Sequence, residues 1–191
     1  MTGAIVALLA AGVFARGPAQ AALKPNATLP PVTPTAVDQM YTRVKSMVVK
    51  DLGPSYPNPR LARLLSLTLV PVAPPVLRRI GPSPIDRLRT VVIVFRLNDH
   101  PLGKAWRLRT AKADVFVVMK SLYASQLPIY NVEMIGEYPM PRNHVRKLRR
   151  VLTAFLDHTT ASQIPWKHWR RTDESTLWSM LTYSSVNKAF A

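Results

Sequence analysis

Residues 90–138 read TVVIVFRLNDHPLGKAWRLRTAKADVFVVMKSLYASQLPIYNVEMIGEY, and this stretch decides the fold. Its opening nine residues, TVVIVFRLN, are β-branched and apolar and predict a strand over 90–98. Asp99, His100, Pro101, Leu102 and Gly103 are turn chemistry. Thr110 can cap a helix that runs to about Gln126, with Val115, Val118, Met119 and Leu122 on one buried stripe and Phe116 and Tyr123 beside it. Pro128 opens a second strand, 129–138. There Tyr130, Val132, Met134 and Tyr138 alternate with Asn131, Glu133 and Glu137, so the two sets face opposite ways.

Working outward towards the C-terminus, residues 139–143 (PMPRN) predict a turn and 145–157 a third strand returning antiparallel. Val151, Thr153 and Phe155 would face one way and Leu152, Ala154 and Leu156 the other. Both sets are mostly apolar, which suits a central strand. Residues 159–164 predict one helical turn before Pro165. A last helix is expected over 172–183, with Asp173 and Glu174 in its first turn, where negative charge suits the helix dipole.

Towards the N-terminus, residues 54–89 hold eight prolines, six arginines and one acid. They read as a basic arm of extended character, in which 64–72 could form a short edge strand. Before it, Thr33 and Pro34 can start a helix over 34–53, with Val37, Met40, Tyr41, Val44 and Val48 at helical spacing and Gly53-Pro54 at its end. Residues 22–33 predict a linker. Residues 4–15 (AIVALLAAGVFA) have the length of a signal-peptide apolar region, and Ala19-Gln20-Ala21 offers small residues for cleavage, so 1–21 reads as a signal peptide or anchor. The expected class is therefore α+β: an antiparallel or mixed sheet of three to four strands with two to three helices over 90–191, preceded by a leader and a Pro/Arg-rich arm.

Several segments from Val91 onwards resemble a group of uncharacterised secreted bacterial proteins. The matching segments are 122–125 (LYAS), 127–129 (LPI), 132–139 (VEMIGEYP), 155–156 (FL), 164–166 (IPW) and 187–190 (NKAF). The resemblance implies an extracytoplasmic small α/β domain and carries no activity with it.

The 191 residues hold 26 Lys and Arg against 10 Asp and Glu, a formal net charge of +16, and no cysteine. Lack of cysteine excludes disulfides, zinc–thiolate sites and a thiol nucleophile. The four histidines have no metal-ligand spacing, and no nucleophile elbow or phosphate-binding glycine pattern occurs. No catalytic residue, metal or cofactor is expected. Asp99-His100 and Asp157-His158 are adjacent pairs, a poor arrangement for a dyad on an extended chain. Glu133 and Glu137 share a strand face and would be the carboxylates of a small hydrolase or carbohydrate-active domain, were there one.

Charge is the strongest functional signal. Arg142, Arg146, Lys147, Arg149 and Arg150, with His144 among them, form an acid-free cluster that a polyanion or solvent must relieve. Lys167, Arg170 and Arg171 form a second cluster, interleaved with Trp166 and Trp169, whose rings suit stacking or a lipid interface unless the core takes them. The expected function is an extracytoplasmic, non-enzymatic binding module engaging an anionic lipid, a cell-wall polymer or a partner protein through a basic rim. A nucleic-acid-binding protein is the alternative.

Overall fold

The computed structural model describes residues 35–72, 88–142, 145–170 and 173–190. The leader, the linker, Thr33, Pro34, residues 73–87 of the Pro/Arg-rich arm, His144, Arg171 and Thr172 lie outside the described residues. The described elements run α1 (Ala36–Leu52), β1 (Leu64–Pro71), β2 (Arg89–Arg96), α2 (Lys104–Ala124), β3 (Ile129–Arg142), β4 (Val145–Leu156), α3 (His158–Ser162), α4 (Glu174–Met180) and β5 (Tyr183–Val186). The class is α+β. The sheet has five strands in the order β1-β2-β3-β4-β5. It is mixed: β2 and β3 are parallel and every other pair is antiparallel.

This topology follows from connection lengths. A parallel pair needs a long crossover, which α2 supplies between β2 and β3, whereas β3 and β4 are joined by a tight hairpin. The helices bury one sheet face. Val91, Ile93 and Phe95 of β2, Val132, Met134 and Tyr138 of β3, and Leu152, Ala154 and Leu156 of β4 share one core with Val44 and Val48 of α1, Val115, Met119 and Leu122 of α2, and Leu177 of α4. The other face is mostly half-exposed and carries Val92, Val94, Arg96, Glu133, Glu137 and Phe155.

The sheet is larger than the three to four strands expected; of the four helices described, three lie within 90–191, within the two to three expected there, and α1 is the helix expected over 34–53. The alternation of β2, β3 and β4 is as read. Strand β1 is an edge strand hydrogen-bonded to β2 from Leu64↔Phe95 to Pro71↔Arg89, and its Leu67 enters the core. Strand β5 replaces the end of the expected last helix: α4 stops at Met180, Leu181 is extended (φ −57°, ψ 132°), and Tyr183–Val186 pair with β4. Four residues are too few to display a period. Helix α2 begins six residues before Thr110, because Gly103 takes φ 93° and its carbonyl accepts the Arg107 N–H. Lys104–Arg109 contain no helix breaker, so nothing delays the start. Helix α1 is capped by Thr35: its hydroxyl accepts the Asp38 N–H while Asp38 accepts the Thr35 N–H, a reciprocal capping box.

Candidate cationic ribbon

The residues expected as a turn, 139–142, continue β3. Two prolines there made a turn the natural reading, and the backbone explains why a strand tolerates them. The Leu97 N–H donates to the Glu137 carbonyl at 2.8 Å, so the polar groups of residue 137 point towards β2. By strand alternation those of 139 and 141 point the same way. Strand β2 ends at Arg96, opposite Glu137, so Pro139 and Pro141 lack a donor on a side where no strand among the described residues would accept it. They also close that side to any further strand.

Beyond Glu137 the hairpin pairs only with itself among the described residues: Tyr138↔Arg149, Pro139↔Leu148, Met140↔Lys147, Pro141↔Arg146 and Arg142↔Val145. On the far side, β4 meets β5 only from Leu152, apart from the Asn187 N–H donating to the Val151 carbonyl at 2.8 Å. The result is a two-stranded ribbon extending five paired rows, roughly 17 Å, past the neighbouring strands, its inner rows seated on the core through Tyr138 and Met140. Residues 138–150 contain five Arg or Lys and no acid. Lys147, Arg149 and Arg150 are exposed, and none of the three makes an ion pair within the described residues. Arg142 and Arg146 occupy the outermost rows by backbone register.

The ribbon is anchored at its root. Tyr138 is 7 % exposed; its hydroxyl donates to Asp99 Oδ1 at 2.7 Å and accepts from Arg107 Nη1 at 2.6 Å. The Arg107 guanidinium also lies 5.0 Å from the centre of the Tyr138 ring and 5.8 Å from that of Phe190, which meets Tyr138 edge-on. Burial, then the Asp99 hydrogen bond, push the phenol up from its ordinary value, so it stays neutral. Sequence reasoning missed this clasp because Asp99 reads as a turn residue and Arg107 as surface charge. The even spacing that places Tyr138 on the core face was the available signal.

Lys167 and Arg170 are exposed but lie elsewhere. They follow β4's far end, and Lys147 to Leu156 alone spans about 30 Å of strand. The two basic clusters are thus at opposite ends of β4. Of the tryptophans expected as contacts, Trp166 is buried and Trp169 is partly buried. Trp166 is 8 % exposed, stacks on Tyr123 at 5.0 Å and donates its indole N–H to the Ala161 carbonyl at 2.8 Å. Trp169 stacks on Phe116, and its carbonyl accepts from the Lys120 ammonium. Neither indole presents a free platform.

No family model, curated protein or solved structure matches this chain. Its chemistry therefore has to come from its own geometry.

The acid–histidine neighbours are directed apart. Asp157 accepts from Thr160 N–H at 2.8 Å and from the Thr182 hydroxyl at 2.6 Å, whereas His158 stacks on Tyr130. Asp99 serves Tyr138, whereas His100 Nδ1 accepts the Leu102 N–H and the ring stacks on Trp106. Glu133 and Glu137 share the half-exposed sheet face about 13 Å apart along β3, too far to act on one glycosidic bond. Glu133 lines a shallow groove of about 410 Å³ with Arg150, Phe155 and Tyr183. Among the described residues no group of three or more His, Asp or Glu could hold a metal.

Proposed function

We propose that the protein is a non-enzymatic binding module, working outside the cytoplasm, that holds a polyanionic surface through the β3–β4 ribbon. The observation that carries this reading is the projecting, acid-free ribbon with exposed Lys147 and Arg149 on it and exposed Arg150 at its root opposite Glu137, none of the three forming an ion pair within the described residues. A structural ion-pair network would spend those charges internally. Here they are left open to an anionic partner. The location rests on the leader-like residues 1–21 and on the resemblance to secreted bacterial proteins.

A second reading is favoured by shape. A two-stranded ribbon fits the DNA major groove, and phosphate contacts by Lys and Arg would supply affinity. The two readings separate on compartment. The expected result for the first is a chain recovered outside the cytoplasm whose binding to polyphosphate is lost in Lys147→Gln/Arg149→Gln/Arg150→Gln. A cytoplasmic chain that prefers duplex DNA to polyphosphate at equal charge would replace it with the second.

A further inference from the structure

The ribbon shares its end of the sheet with the loop and first turns of α2, because both follow the C-terminal ends of the parallel strands β2 and β3. The Arg107–Tyr138 hydrogen bond joins them. This neighbour is unusual in composition. Residues 100–109 (HPLGKAWRLR) contain three cations and no acid, like the ribbon itself. They also hold two exposed large apolar side chains. Leu102 is 64 % exposed, the highest value among the described large hydrophobic residues, and Trp106 is 42 % exposed.

The backbone holds Leu102 outward in a fixed turn. Gly103 donates its N–H to the His100 carbonyl at 3.2 Å, and the Leu102 N–H donates to His100 Nδ1 at 3.2 Å. The Trp106 indole has His100 stacked on it at 5.3 Å, and the Arg109 guanidinium lies 5.2 Å from the ring centre. Two acids lie at this root: Asp99 is engaged by Tyr138 and Arg107, and Glu137 lies opposite Arg150 on the half-exposed sheet face.

A soluble polyanion uses only the charge. An exposed Leu beside an exposed Trp, ringed by cations, is satisfied by a partner with both a negative surface and an apolar phase beneath it. Tryptophan settles at the headgroup level of a bilayer, and each Lys or Arg held near an anionic leaflet adds to attraction. We propose that this end of the molecule docks on an anionic phospholipid bilayer. Leu102 and Trp106 sit at the headgroup–acyl boundary, and Lys104, Arg109 and the ribbon cations lie on the phosphates. This deepens the ribbon reading and rests on it.

The test uses the full chain and vesicles of phosphatidylglycerol in phosphatidylcholine. Acyl-brominated lipid should quench wild-type tryptophan fluorescence, and Trp106→Phe should remove most of that quenching, since Trp166 is buried, Trp169 packs on Phe116, and Trp178 is partly buried against the core with the Lys112 ammonium 4.8 Å from its ring centre. Leu102→Ser should weaken vesicle binding about tenfold, the loss of part of one leucine's burial, and leave polyphosphate binding within about twofold. Both residues are exposed, so an unchanged denaturation midpoint certifies the fold of each variant. Undiminished quenching in Trp106→Phe would overturn the proposal, as would equal weakening of vesicle and polyphosphate binding in Leu102→Ser. Retained polyphosphate binding in the Lys147/Arg149/Arg150 triple variant would instead remove the ribbon reading beneath it.

Discussion

Arg63 is the residue on which three elements converge. Its side chain is 2 % exposed. The guanidinium donates to Asp114 Oδ1 at 3.2 Å and Oδ2 at 2.5 Å, to the Leu52 carbonyl that ends α1, and from Nε to the Arg96 carbonyl at 3.2 Å. Burial pushes the Asp114 carboxyl up and the guanidinium pulls it back down. Arg63→Met leaves that carboxylate buried without its cation and strips two backbone carbonyls, so it should cost about 3–5 kcal/mol in urea unfolding. Arg63→Lys should recover only part, because a point charge cannot span both oxygens and both carbonyls. In the sequence Arg63 is one arginine among six in a proline-rich arm, and nothing local marks it for burial. Its partner Asp114 lies 51 residues away.

Asp157 makes a second prediction at this scale. Burial works against its ionised form, but hydrogen bonds from the Thr182 hydroxyl, from Thr160 and from the Thr159 N–H outweigh it and hold the carboxyl below its ordinary value. A lowered folded value means the stabilisation is present above about pH 4 and is lost as pH falls through that value. Asp157→Ala should therefore be less stable than wild type by about 1 kcal/mol at neutral pH, the worth of a helix cap. The gap should close as pH drops below about 4 in a pH series of denaturation curves. A gap that stays constant down to pH 2 would contradict the linkage.

At the scale of elements, long periodic segments were legible and short or unusual ones were not. Strands β2, β3 and β4 show their alternation because one face meets helices, and α1 shows its stripe because Met40, Val44, Val48 and Leu52 are all buried. Strand β5 has four residues and a mostly exposed face, so its side chains carry no pattern. The ribbon was half-legible: the cations were plain, but its length was hidden by prolines that ordinarily end strands. Their placement on the unpaired side predicts a further function for them, as guards against edge association. Pro139→Thr/Pro141→Thr restores two outward N–H groups and should raise self-association, seen as concentration-dependent light scattering that wild type lacks. Unchanged scattering at every concentration would show that charge alone keeps the edge solitary.

Across the whole molecule, the candidate site was legible in part. Arg142, Arg146, Lys147, Arg149 and Arg150 are a site by composition, and the fold places the first four on one projecting arm and Arg150 at its root, opposite Glu137. The Lys167 and Arg170 cluster is a separate surface, Trp166 belongs to the interior, and Trp169 is partly buried against it. That division was not available from sequence, where aromatics among cations look alike whether they face a ligand or a core. The Tyr138 clasp and the Leu102–Trp106 tip were missed because both depend on bringing the α2 N-terminus beside β3, a consequence of parallel pairing.

The most direct test of the account is the salt dependence of polyphosphate binding by the full chain, measured with and without Lys147→Gln/Arg149→Gln/Arg150→Gln. Each cation in contact with the polymer contributes about 0.7–0.9 to the slope of log affinity against log salt. The ribbon account predicts that the triple variant's slope is shallower by about 2 to 3 at an unchanged unfolding midpoint. Equal slopes in the two proteins would mean that the charges that bind lie elsewhere, and the ribbon would lose its role.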